Sequence, residues 1–239
     1  MEGFLIVLGI LAVGAAIAVY FLIINYKRYQ LISKTETSTI SWLQDGFCEI
    51  KGKIVSLGEQ LVSPFSEKAC VYYHFKIEQK KSSGKNSHYV SIVDDKKFQK
   101  FGIDDGSGIA VIDLQNADVQ IRVDKKDSSG FFNQADENEV RVLNKYNQSN
   151  RGFLFEKTLR YTEKYLEVGD EVYVLGEAEG KEQSKPLIKK GKLPLFLSDK
   201  TEHELLNFYK IRIIIPAIII VAIVILAYFI YNDHIKYML

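Results

Sequence analysis

The sequence predicts a mainly β domain, a compact barrel or sandwich and OB-like in its barrel form, flanked by helices and set between two transmembrane helices. Three observations predict it. Residues 4–24 and 213–231 are apolar and free of charge. Alternation of apolar and polar residues runs through much of the chain between them. Turn-forming clusters punctuate the alternating segments. The organisation expected is a transmembrane helix over 4–25, a β-rich domain over 35–200, and over 201–231 a stalk helix that continues into the second span.

Each apolar stretch holds about 20 residues, enough as a helix to cross a hydrocarbon core of roughly 30 Å. A cleaved signal is the rival reading of the first. Its start, Met1-Glu2-Gly3, lacks a basic n-region, and apolar residues continue past Ala16-Ile17-Ala18 to Ile24, so a retained anchor is expected. Pro216 is expected in the first turn of the second span, where its missing N–H is harmless. Tyr228, Phe229 and Tyr231 gather near the far end like an interfacial belt. Lys27 and Arg28 follow the first span, while Lys200, Lys210 and Arg212 precede the second. By the positive-inside rule the central domain is expected in the cytoplasm of a prokaryotic-type cell, with both termini outside the plasma membrane.

Two strands are read most directly. Over 48–57, Cys48, Ile50 and Ile54 fall on one side and Glu49, Lys51 and Lys53 on the other. Over 71–77, Val71, Tyr73, Phe75 and Ile77 oppose Tyr72, His74 and Lys76. Further strands are expected over 89–93, 109–114, 119–123 and 171–175, with 187–197 less clear. Residues 80–87, 104–108 and 168–170 supply the turns. The polar stretch 125–139 reads as a loop in which Phe131 and Phe132 either fold back on the domain or touch lipid or a partner. Thr201 and Glu204 have capping-box spacing ahead of Leu205, Leu206 and Tyr209. A helix is also expected over 153–166, and the first span is expected to continue to Ile32.

Candidate chemistry is thin. Asp94, Asp95, Asp104, Asp105 and Asp113 lack the spacing of a calcium loop. The four histidines (His74, His88, His203 and His234) are scattered, and the two cysteines, Cys48 and Cys70, show no ligand spacing. Buried free thiols are the expectation for both. No G-x-S-x-G, Walker-type or dinucleotide motif is present. A net charge of +1 gives no electrostatic case for nucleic acid. Gly14 and Ala18, with Ala12 and Ala16, form a weak small-residue face in the first span.

The order of landmarks resembles one family. Leu43-Gln44-Asp45-Gly46 precedes a strand with Gly52; Ser63-Pro64, Cys70 and Tyr72-Tyr73 follow. Then come Phe101-Gly102-Ile103-Asp104-Asp105 with Gly108, Glu163 and Leu166, and Gly169-Asp170-Glu171-Val172-Tyr173-Val174-Leu175-Gly176. Leu197-Ser198 opens the stalk. This resembles the GIDE domain, or BAM (beside-a-membrane) domain, of mulan-type ubiquitin ligases of the mitochondrial outer membrane, whose prokaryotic relatives have the same span–domain–span layout. The resemblance implies that Gly52 and Gly176 mark barrel bends or close backbone approaches. It implies that Ser63-Pro64 shape one turn, and Asp105 and Gly108 another. In those ligases a zinc-binding RING of about eight ligands follows the second span. Residues 232–239 here offer one His and no Cys, so ubiquitin transfer is not expected to carry over.

The expected function is therefore a non-enzymatic module without a cofactor. It would sit among membrane lipids and bind a membrane-proximal protein partner or further copies of itself. The alternative is a ligand-sensing module of a membrane stress or defence system, with Tyr72-Tyr73 and Phe131-Phe132 about a small molecule in the barrel mouth.

Overall fold

A computed structural model describes residues 2–83, 86–130, 133–152, 156–180 and 184–236. The chain divides into two units, Thr37–Lys200 and a helical unit of Met1–Glu36 with Thr201–Leu239.

The helical unit holds α1 (Glu2–Lys34) and a second long helix, Glu202–Lys236, which pack along one another. Both are long and apolar enough to cross a membrane: an 18-residue stretch within Leu5–Lys34 has a mean hydropathy of 2.8, and one within Glu202–Asp233 has 3.2. In α1, Ala18, Asn25 and Ile32 are buried at seven-residue spacing, a coiled-coil-like seam. A Cβ added at Gly14 would sit 3.6 Å from Ile223 Cδ1, ordinary packing contact across the pair. The capping box at Thr201 forms: its N–H donates to Glu204 Oε2 at 2.9 Å and its Oγ1 accepts from Glu204 N at 3.3 Å. Because the helix starts here and runs unbroken into the apolar stretch, Pro216 lies in its interior, not in a first turn. The carbonyl of Arg212 accordingly receives no N–H from that position.

In the other unit, β1 (Gly46–Val55) pairs antiparallel with both β6 (Phe101–Asp104) and β11 (Glu171–Glu179). From β6 the ladder passes to β7 (Ile109–Ile112), then in parallel to β12 (Leu187–Lys189), which returns to β11. These five strands close into a barrel. With β7 and β12 parallel and the first strand sealed against β11, the order is that of an OB-like Greek key. Ile50, Ile54, Ile103, Ala110, Ile112, Val174 and Ile188 fill it. On β11's outer side β13 (Phe196–Ser198) pairs with Tyr173–Leu175, and β8 (Asp118–Gln120) pairs in parallel with β13.

A second antiparallel sheet is inserted between barrel strands. Its order is β5 (Asn86–Phe98), β4 (Tyr72–Ser83), β10 (Leu159–Leu166) and β9 (Lys125–Ser129). Before it lies the short hairpin β2 (Leu61–Val62) with β3 (Ala69–Cys70). Helix α2 (Glu137–Lys145) buries Val142 and Leu143 in the same core as Phe65, Cys70, Tyr73, Phe75 and Tyr161. Phe65 stacks on Phe75 and Tyr161 at centroid distances of 6.0 and 5.6 Å. Alternation in β4 sends Tyr72 into the barrel core and Tyr73 into this one. The remaining helix, Glu202–Lys236, is α3.

Four local expectations are corrected. The polar stretch 125–139 is not a loop throughout: it forms β9 and enters α2, whose N-cap Asp136 makes a capping box with Glu139. The segment 153–166 is not a helix where it is described, since Leu159–Leu166 is strand β10. Residues 187–197 resolve into two strands with different neighbours. Glu49 is not on a solvated face but wholly buried. Phe131 and Phe132 lie outside the described residues.

Candidate functional site

Three carboxylates organise the surface of the β unit: Glu163 and Asp105 accept hydrogen bonds from loop N–H groups, and Glu49 accepts from two side-chain hydroxyls. The first is Glu163, at an inward position of β10 and 1% exposed. It accepts from Phe65 N at 2.7 Å, Ser66 N at 2.9 Å and Ser63 Oγ at 3.4 Å. From the other side Arg141 of α2 donates to the carbonyls of Pro64 and Phe65, both at 3.1 Å, and pairs with Glu67 at 3.2 Å. The loop 63–67 is thus clamped from beneath and from the flank. Between it and α2 opens a cleft of about 550 Å³ lined by Phe65, Ser66, Glu67, Lys125, Glu137, Asn138 and Arg141. The volume falls in the range of small-molecule sites, but the lining is mostly charged. Tyr72 and Tyr73 are 2% and 3% exposed and lie in the two cores.

The second is Asp105, in the turn between β6 and β7. Its Oδ1 accepts from Ser107 N at 2.8 Å, Ser107 Oγ at 2.6 Å and Gly108 N at 3.2 Å, while Oδ2 accepts from Ile40 N at 2.8 Å. Burial raises its pKa, but these hydrogen bonds outweigh burial and hold the carboxyl below its ordinary value. Ser107 Oγ also accepts from Ser41 N at 3.1 Å. Gly108 lies close under Ile40: a Cβ there would sit 3.3 Å from Ile40 Cγ2. Together they pin the 3-10 turn Ile40–Trp42 between buried Ile40 and Leu43. The turn displays the chain's single tryptophan, Trp42, 79% exposed. No periodicity marks that side chain; a lone Trp beside a turn is the one clue the sequence carries.

The third is Glu49. It accepts from Thr37 Oγ1 at 2.6 Å and from the Tyr173 hydroxyl, and Lys51 Nζ stands 3.1 Å from it. Thr37 is the first residue of this unit, and Tyr173 pairs with Ser198, two residues before its last. Both connections toward the apolar helices therefore leave the β unit beside one buried carboxylate.

The other landmark residues are structural in their surroundings. A Cβ on Gly52 would collide with the backbone carbonyl of Asp104, whose carbon lies 2.8 Å away. At Gly176 it would meet Ile188 Cγ2 and Leu195 Cδ1, both at 2.7 Å. Gly169, with φ +96°, donates its N–H to Ile54 O at 2.8 Å, and Asp170 returns a carbonyl to Ile54 N at 2.9 Å. Cys48 and Cys70 are buried free thiols. Burial pushes Cys48 up to about 11. Burial, then the nearby Glu163 and Glu167 charges, push Cys70 up to about 12. Among the described residues no group of His, Cys, Asp and Glu is arranged to hold a metal ion.

An OB-like barrel with an inserted sheet lies in the chain between two helices long and apolar enough to cross a bilayer. The family model for GIDE, described as an E3 ubiquitin ligase, matches residues 72–230. That is well over half of the 239 residues, and the chain belongs to the GIDE family. The match includes Asp105, Gly108, Glu163, Gly169, Asp170 and Gly176, and begins after Gly52, Ser63, Pro64 and Cys70. No curated protein and no solved structure matches the chain.

Proposed function

We propose that this GIDE domain is a non-enzymatic interaction module held at a membrane surface by two helices, with the domain on the cytoplasmic side. The observation that carries the reading is Trp42, an exposed indole on a turn fixed by side-chain clamps. Aromatic anchors of this kind dominate protein interfaces, and an anchor already ordered loses little entropy on binding. Leaving chemistry out of the reading is supported by the thiols, which are buried and far from thiolate at neutral pH. The positive side chains flanking the apolar runs support the orientation.

Helix lengths add a further support. Beyond Ile24, α1 continues for ten residues to Lys34, and α3 begins eleven residues before Ile213. At 1.5 Å rise per residue both extensions measure about 15 Å, a stalk of matched length that fits recognition near the bilayer. A photo-crosslinking amino acid in place of Trp42, in the full chain in native membranes, tests the reading. A discrete protein adduct is expected; lipid adducts or none at native expression levels would refute it.

The 550 Å³ cleft at Phe65, Lys125 and Arg141 favours a second reading, ligand sensing. Saturable thermal stabilisation of the full chain by a small molecule, lost on Arg141→Ala, would support that reading over the first.

A further inference from the structure

The longest strand of the inserted sheet, β5, stands at the sheet's edge, and among the described residues nothing pairs with its outer side. Long bare edges recruit other strands, and proteins guard them with charges, bulges or short length. Here a register shift at Ile77/Glu78 leaves Ile92 without an opposite residue. From Val93 to Phe98, however, the ladder with β4 is regular. That regular stretch carries Asp94-Asp95-Lys96-Lys97.

We propose that this edge pairs antiparallel with β5 of a second copy of the chain, about a two-fold axis at Asp95 or Lys96. The proposal rests on the interaction-module reading and names its partner. Residues directly opposite across antiparallel strands share a sheet face, so a two-fold axis must pass through a pair of identical residues. With the axis at Asp95, each Asp94 stands opposite Lys96 of the other copy. With the axis at Lys96, each Asp95 stands opposite Lys97 of the other copy. Either register creates two opposite-charge pairs, which stabilise directly opposed positions.

The surrounding sheet fits the first register. Asp94 already lies 3.0 Å from Lys76 Nζ, and Lys96 is opposite His74. The row across both copies would read Lys76, Asp94, Lys96, His74, with Asp94 between two lysines. Asp95, which would meet its own copy at the axis, accepts hydrogen bonds from the Tyr73 and Tyr146 hydroxyls at 3.0 and 2.6 Å, which temper the like-charge contact. In the second register Lys96 meets its own copy, and Lys97 finds the ion pair it lacks among the described residues. A run such as Lys-Lys-Lys-Lys would repel every register. The order Asp-Asp-Lys-Lys guards the edge against most strands while selecting its own copy.

The test uses the full chain in phosphatidylcholine vesicles, with Cys48 and Cys70 kept because they are buried. Under mild oxidation, Lys96→Cys alone should form a disulfide dimer if the axis is at Lys96. A mixture of Asp94→Cys and Lys96→Cys chains should form the mixed dimer if it is at Asp95. One of these is expected at least tenfold above Lys164→Cys, which sits on interior strand β10. In wild-type chains carrying a fluorophore pair, self-association should weaken several-fold on Lys96→Glu with Lys97→Glu, and on raising salt. Dimer yields no higher than Lys164→Cys, or self-association indifferent to the two Glu substitutions, would overturn the proposal. A protein adduct at Trp42 obtained alongside such a result would leave the interaction module standing and this edge idle.

Discussion

Asp105→Asn isolates one hydrogen bond of the clamp that presents Trp42. Asparagine keeps an oxygen where Oδ1 accepts from Ser107 N, Ser107 Oγ and Gly108 N, but places an NH2 where Oδ2 faces Ile40 N. A donor then meets a donor, and the 2.8 Å bond to Ile40 is lost. A hydrogen bond to an ionised acceptor contributes about 1.5–3 kcal/mol; because the turn is partly open to water, about 2 kcal/mol of domain stability is expected to go. Chemical denaturation of the full chain in detergent, followed through the single tryptophan, reads this directly. Trp42 fluorescence anisotropy should fall as the turn loosens. The pH dependence has a fixed sign. Asp105 is held below its ordinary pKa, so the difference between wild type and Asp105→Asn is full above the ordinary value of about 3.9. It shrinks as pH falls through the lowered folded value. A stability change under about 0.5 kcal/mol, with anisotropy unaltered, would refute the clamp.

Gly52→Ala should cost about 3 kcal/mol, because its Cβ meets the Asp104 backbone, while Gly176→Ala should cost about 1–2 kcal/mol, because side chains can yield; thermal melts that rank them the other way would sink the argument. Glu163→Gln should lower stability by about 2 kcal/mol through its bonds to Phe65 N and Ser66 N. Proteolysis between Ser63 and Lys68 should quicken in the same variant. Both thiols should resist maleimide at pH 8 in the folded chain and react only on unfolding, since burial keeps them protonated; stoichiometric native labelling would contradict this.

The strands read most easily from sequence were those with one wet face. Tyr73, Phe75 and Ile77 fill one core as their alternation indicates, while Val71, just ahead of the strand, lies in the barrel core, and the turn at 104–108 lies where the two aspartates precede glycines. Segments covered on both faces, or carrying a buried charge, were harder. In β10 the inward positions are Leu159, Tyr161 and Glu163; a carboxylate in that series breaks the period-two pattern and lets a helix compete. In β1, Cys48, Glu49 and Ile50 are buried in succession, and the covering residues, Thr37 and Tyr173, are distant in sequence. Helix α2 did leave a signal, Asp136 with Glu139 ahead of Val140, Val142 and Leu143, a capping box before an apolar face. The polar residues around it concealed that pattern. The charge order of 94–97 was visible, but its place on a bare edge depends on the pairing of β4 with β10.

Asp105 and Glu163 also explain how so many short strands make a defined domain. Strands of two to four residues leave long connections whose N–H groups cannot join a ladder. A carboxylate accepts several such donors at once and fixes their direction, which a hydrophobic contact does not. Glu163 does this for the wall of the cleft and Asp105 for the turn bearing Trp42, while Glu49 ties the hydroxyls of Thr37 and Tyr173 together. Each candidate surface is thus held by a carboxylate remote from it in sequence. Neutralising any one of them should disturb its own surface locally while both hydrophobic cores persist.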